Sequence, residues 1–130
     1  MASTINASST ANGIVSTADA SGILNVQSNG VNTNAQAWVN FNGSTAAIRA
    51  SYNVSSITKN GTGDYTVNFT NAFADTNYVA VLSSGTVETT CNVASRYSTG
   101  ATTSSLRVFS ETANEGALID ITTYLIAVFR

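Results

Sequence analysis

Six carboxylates stand in the part of the chain that could form a folded body: Asp64, Asp75, Glu88, Glu111, Glu115 and Asp120. A pair of them facing one cleft could hydrolyse a glycosidic bond, one as acid and the other as nucleophile or base. Other catalytic chemistry has little to use. The chain has no histidine, which removes the usual general base and metal ligand at neutral pH. Cys91 lacks an imidazole to activate it, and the many serines have neither a G-x-S-x-G elbow nor a base other than Lys59. Asp64 in GTGDY and Asp75 in FADTN sit beside turns, where aspartate bonds to nearby backbone amides. Glu111 and Glu115 flank a turn in SETANEG and are expected to face solvent. No D-x-D-x-D-G calcium loop occurs, and GTG at 61–63, between strand patterns, reads as a hairpin rather than a phosphate loop. The expectation is a protein that is not an enzyme and holds no cofactor or metal.

Binding suits these residues better. A sugar site uses an aromatic face for the ring and amides or hydroxyls for its oxygens. The longest polar, turn-like stretch beyond the N-terminal region is ASRYSTGATTSS, 94–105, and Arg96, Tyr97 and Thr99 are its candidate ligand contacts. The only tryptophan, Trp38, stands in AWVNFNG, 37–43. Alternation puts Val39 and Phe41 on one face of that segment and Trp38, Asn40 and Asn42 on the other. If Val39 and Phe41 face the core, Trp38 faces away, and packing against another subunit is the expectation for it over ligand stacking.

The elements that must carry these residues are strands. Tyr65, Val67 and Phe69 alternate with Thr66, Asn68 and Thr70 in YTVNFT. In IRASYNV, 48–54, Ile48, Ala50, Tyr52 and Val54 fall together, opposite Arg49, Ser51 and Asn53. YVAVLS (78–83), VETTCNV (87–93) and LRVFS (106–110) are further strands, and ALIDITTYLIAVF (117–129) supplies one long strand or two. Asn-Gly steps at 12–13, 29–30, 42–43 and 60–61 suit tight hairpins. The period is two throughout, so the body is expected to be an antiparallel β-sandwich, jelly-roll-like, over 36–130. Cys91 is expected to be a small buried side chain within its strand. Residues 124–129, YLIAVF, are apolar on both faces, which places Tyr124, Ile126 and Val128, with Trp38, as candidate oligomer contacts.

Residues 1–35 are different. They hold only isolated apolar pairs, as in GIV (13–15) and GIL (22–24), and cannot form a core alone. An extended arm is expected, wrapped on the body or shared between subunits. Ser16 and Asp19 resemble a helix cap with too little apolar sequence behind it.

Composition narrows the partners. The 130 residues are 43% hydrophobic but only 9% charged, with a net charge of −2. A soluble domain usually carries about 25% charge, so hydroxyls and amides form this surface and little repulsion opposes self-association. The five cations are scattered, which argues against nucleic acid. MASTINASST has no secretory character, and the longest apolar run is far short of the roughly 20 residues that span a bilayer. Production in a cytoplasm, with release only as part of a larger particle, is the expectation.

AWVNFNGSTAAIRASYNVSSITKNGTGDYTVNFTNAFADTNYVAV, 37–81, resembles a module near the C-termini of tailed-bacteriophage tail fibres and other virion structural proteins. The resemblance rests on 37–43, Ile48-Arg49, Tyr52 to Ile57, Asn60 to Tyr65, Phe69, Asp75 and Asn77-Tyr78. STINAS (3–8) and TADASGIL (17–24) are similar to the starts of such proteins. It implies a β-sandwich, commonly an intertwined homotrimer, displayed on a virion and concerned with host attachment, its arm meeting other virion proteins. A host-surface glycan or protein would be the ligand, and no catalytic residue is implied. The alternative is an architectural capsid-decoration or tail-joint protein with no host ligand.

Overall fold

The computed structural model describes residues 27–28, 31–85, 92–112 and 116–130, with 27–28, 31–32 and 92–98 described through their backbone. Among the described residues ten strands run in order: β1 (Gln27–Ser28), β2 (Val31–Asn32), β3 (Ala37–Asn42), β4 (Ala47–Tyr52), β5 (Val54–Gly61), β6 (Asp64–Phe69), β7 (Val79–Gly85), β8 (Asn92–Ala101), β9 (Ser105–Thr112) and β10 (Thr123–Phe129). β1 and β2 form a small antiparallel pair, and the rest form two four-stranded antiparallel sheets ordered β4-β3-β10-β7 and β5-β6-β9-β8. There is no helix among the described residues. The arrangement is that of a β-sandwich.

Alternation explains the packing. Ala37, Val39 and Phe41 of β3 meet Tyr65, Val67 and Phe69 of β6, Leu106 and Val108 of β9, and Tyr124, Ile126 and Val128 of β10 in one buried cluster. Phe41 and Tyr124 stack at 5.1 Å, and Tyr65 from the other sheet stands edge-on to both, at 5.3 and 5.7 Å. Such ring pairs add to the area that they bury. The Tyr124 hydroxyl donates to the Phe109 carbonyl at 2.5 Å, so its polar end is satisfied within the core. A second aromatic group, Phe69, Phe73 and Tyr78, closes one end beneath the β8–β9 turn. There the Tyr78 hydroxyl lies 3.0 Å from the carbonyls of both Thr102 and Ser105.

Several expectations are corrected. The winding is not jelly-roll-like: β3–β4, β5–β6 and β8–β9 are sequential neighbours within one sheet, whereas a jelly roll passes between its sheets at nearly every step. The segment 48–54 is not one strand. Asn53, at φ 54°, turns the chain from one sheet to the other, its side chain bonding the carbonyls of Gln36 and Asn71 and the amide of Asn71. A bulge in β4 also pairs Phe41 with Ile48 but Asn40 with Ala50, so Ile48 and Tyr52 leave their shared face. The Asn-Gly steps at 42–43 and 60–61 end strands, and positive φ falls instead at Ala46 and Gly63.

Residues 92–101 form strand β8 rather than a loop, with a register shift against β9 between Arg96 and Ala101. The long C-terminal segment reduces to one strand, preceded by irregular chain with a single bridge between Glu111 and Leu118. Strand β5 lacks an apolar alternation that could announce it; only Val54 and Ile57 are apolar in VSSITKNG. Most of the expected arm, residues 1–26 and 29–30, lies outside the described residues, as do the Ser16–Asp19 cap, the GIV and GIL segments, Cys91, Glu88 and Glu115.

Candidate functional site

The carboxylates are the first place to look for chemistry, and the fold sets Asp64, Asp75 and Asp120 against cations. Asp120 lies in the irregular chain before β10. Its Oδ1 accepts from the Gly63 amide at 2.8 Å and the Tyr65 hydroxyl at 2.7 Å. Its Oδ2 pairs with Lys59 Nζ at 2.5 Å, and Lys59 also donates to the Ser44 carbonyl at 3.0 Å. One carboxylate thus ties the β5–β6 hairpin, the β3–β4 turn and the approach to β10. Partial burial opposes ionisation of Asp120, but the bonds from Lys59, Gly63 and Tyr65 outweigh it and hold the carboxyl below the usual range. Burial, and then the neighbouring Asp120 charge, push the Tyr65 hydroxyl far above the usual phenol range. A phenol so placed holds its proton at neutral pH and is a poor base.

Asp64 is buried and accepts two parallel bonds from Arg107, at 2.9 and 2.5 Å, with Asn60 adding a third at 3.1 Å. The sequence suggested backbone amides as its partners; the cross-strand pairing of Thr66 with Arg107 brings a guanidinium there as well. Asp75 does bond a backbone amide, that of Asn77 at 2.7 Å, and also pairs with Arg130. Arg130 and the Asn77 amide hold the Asp75 carboxyl below its ordinary range. Among the described residues no group of three His, Cys, Asp or Glu is placed to hold a metal.

These pairings carry a pH prediction. A carboxyl with a depressed folded pKa contributes stability that is complete above its unfolded value, near about 4, and is lost as pH falls through the folded value. Melting temperature should therefore stay level from about pH 7 to pH 5 and fall below about pH 4. Asp120→Asn should flatten that acid fall more than Asp75→Asn, because Asp75 is the more exposed pair and water screens it. Equal acid slopes in both variants and the parent would contradict the assignment.

The two outer sheet faces differ chemically. On the β5-β6-β9-β8 sheet the described outward side chains include Ser56, Thr58, Asn60, Thr66 and Asn68, which bond one another, beside Asp64 paired with Arg107 and the ring of Phe109. Asn68 reaches Ser56 and Thr58 at 3.0 Å each, and Asn60 reaches Thr66 at 2.9 Å. The β4-β3-β10-β7 sheet presents a cross-strand row of Tyr52, Trp38, Ala127 and Val81. Leu125 and Val79 adjoin it. Trp38 is 40% exposed, Tyr52 44%, Val81 57%, Val79 64% and Leu125 40%. Because Ala127 is small, an open depression of about 330 Å³ forms over it, walled by Trp38, Val81 and Leu125. A contiguous apolar face of this kind is where a soluble protein meets something else.

Sequence-chosen residues divide accordingly. Trp38 stands outward as its alternation requires, with Val39 and Phe41 buried beneath. Tyr124, Ile126 and Val128 are corrected: they are buried in the chain's own core, and the outward residues of β10 are Leu125, Ala127 and Phe129. Apolarity on both faces of β10 hid which face was which; pairing with Trp38 and Val81 assigns Ala127 to the outside. Thr99 is exposed on β8, where Arg96 and Tyr97 also lie; the side chains of those two are outside the described residues. Val79 and Val81 were missed as surface residues because YVAVLS reads as an ordinary half-buried strand. No family model, curated protein or solved structure matches the chain.

Proposed function

We propose that this protein is a structural component of a tailed-phage virion, a small fibre or receptor-binding module that assembles through its sheet faces. The observation that carries the reading is the apolar outer face around Trp38 on a molecule whose other sheet carries a bonded polar network on β5 and β6. It is supported by the resemblance of residues 37–81 and by the low charge of the chain. In this reading the module is an intertwined homotrimer, made in the host cytoplasm and incorporated in the virion. Residues 1–35 serve as an arm to other virion proteins. Attachment works by repeated weak contacts, since many copies on one particle raise avidity without a deep pocket. Arg96, Tyr97 and Thr99 of β8 are the contacts proposed for a host-surface glycan or protein.

A second reading, an architectural decoration or joint protein, is favoured by the placement of those three residues on β8, where the register with β9 shifts between Arg96 and Ala101, rather than in an open loop. Purified protein should adsorb to host cells and reduce phage adsorption in competition. Absence of competition, with density for the chain on the capsid shell or a tail joint, selects the architectural role. Absence of the chain from purified particles overturns both.

A further inference from the structure

We propose that the outer face of the β4-β3-β10-β7 sheet is the contact between copies of this chain, with Trp38 of one copy packed over Ala127 of the next. The proposal rests on the reading of this face as an assembly surface, and names its occupant.

Four observations select a second copy. First, knob and depression lie in one row of one face: Trp38 is directly paired with Ala127, and Ala127 with Val81. The largest exposed side chain and the space that could receive a ring thus occur together on the same chain. Carrying both halves of a fit lets the knob of each copy enter the depression of the next, a head-to-tail contact that a threefold rotation can close into the trimer.

Second, the face has no charge among Tyr52, Trp38, Ala127, Val81, Val79 and Leu125. The adjacent cations are both engaged: Arg49 is turned to the Asn40 side chain at 3.2 Å and the Thr122 carbonyl at 2.6 Å, and Arg130 pairs with Asp75. With only 9% charged residues and a net charge of −2, copies meet without appreciable repulsion.

Third, the edges are unequal. Strand β4 is guarded by its bulge and Arg49, while β7, VAVLSSG, carries no charge, bulge or proline and leaves Val79 and Val81 more than half exposed. An edge of that kind is normally covered.

Fourth, the size is adequate. Four strands about 4.8 Å apart and about six residues long at about 3.3 Å per residue make a face of roughly 400 Å². Two faces bring together about 800 Å² before side-chain relief is counted, near the roughly 1,000 Å² from which specific contacts are built.

Trp38 is the sole tryptophan, so its fluorescence reports this face directly. Light scattering gives the assembly state, and emission maximum with acrylamide quenching gives the exposure of Trp38, over about 0.1–100 µM protein. The wild type should be oligomeric, with Trp38 emission blue-shifted and shielded, both reversing on dilution. Val81→Arg should weaken association roughly tenfold or more and return Trp38 to a red-shifted, quenchable state. Its melting as a dilute monomer should be close to that of the wild-type monomer, because Val81 is exposed on an edge strand. Thr58→Arg, on the opposite face, should leave assembly unchanged.

An oligomer that persists in Val81→Arg with Trp38 still quenchable overturns this contact and leaves the oligomer itself standing. A wild type that is monomeric at 100 µM with quenchable Trp38 overturns the contact and the oligomer together. A monomer with shielded Trp38 overturns the contact, because the cover then comes from the same chain.

Discussion

Gly63→Ala lowers the melting temperature by roughly 10–20 °C, the largest expected effect of any single methyl group in this protein. Gly63 has φ +64°, and a Cβ there would lie 2.6 Å from the Ser110 carbonyl oxygen, 2.6 Å from the Ile119 amide nitrogen and 2.8 Å from the Ile119 carbonyl oxygen. All three are backbone atoms. The Gly63 carbonyl accepts from Ser110 N at 2.8 Å and Ser110 O accepts from Ile119 N at 3.0 Å, so making room for a methyl group breaks a three-way seam. Left-handed backbone on a non-glycine residue costs about 1–3 kcal/mol, and overpacking a fixed site adds a similar amount; together they give about 3–5 kcal/mol. Gly116 isolates the two causes. Its φ is +63°, but a Cβ would meet only the end of Glu111 at 3.9 Å. Asparagine tolerates that backbone region, so Gly116→Asn should be nearly neutral while Gly63→Asn is as damaging as alanine. A mild Gly63→Asn would show that conformation, rather than space, governs the site.

Asp120→Ala should destabilise the fold by about 2–4 kcal/mol, since it removes the acceptor of both the Gly63 amide and the fully buried Tyr65 hydroxyl, which keeps only the Ser110 hydroxyl beside it. Asp120→Asn should cost less, because an amide oxygen in the Oδ1 position can still accept both of those bonds while the pairing of Oδ2 with Lys59 is lost. The sharper measurement is a double-mutant cycle by urea denaturation. In the wild type Tyr65→Phe removes a hydroxyl bonded to a carboxylate; in Asp120→Ala it removes one that has lost that acceptor. The second substitution should therefore be cheaper by about 1 kcal/mol or more, as contacting partners couple and distant ones do not. Strict additivity would mean that the bond between Tyr65 and Asp120 contributes nothing to stability.

Both predictions fall on NGTGDY and its partners, and this clarifies what that motif does. Asn60 bonds Asp64 and Thr66, Gly63 allows the close approach of 110 and 119, Asp64 holds Arg107, and Tyr65 reaches Asp120. AWVNFNG has comparable internal duties. Ala37, Val39 and Phe41 are core, and a Cβ on Gly43 would lie 2.5 Å from the Ile121 carbonyl. The residues on which the resemblance rests are mostly residues that build the sandwich. Trp38 and Tyr52 differ, since their rings stand outward beside each other on neighbouring strands.

Much of the fold was legible because a strand writes its burial with period two. Tyr65, Val67 and Phe69 alternate with polar residues and are buried; Val39 and Phe41 do the same beneath Trp38. Legibility failed where that period carries no information. The β5 stretch is polar on both faces, β10 is apolar on both, and the single extra residue in β4 exchanges its faces midway. The chain by itself determined an all-β body, a weakly charged surface and an outward Trp38, because each follows from residue types and their spacing along one strand. Only tertiary structure decided that Asp64 meets Arg107 and Asp120 meets Lys59 and Tyr65, pairs 43, 61 and 55 residues apart. It alone placed Tyr52, Trp38, Ala127 and Val81 in one row. The physical reason is common to both: sequence spacing sets which face of a strand a side chain takes, but sheet order and register choose its neighbours.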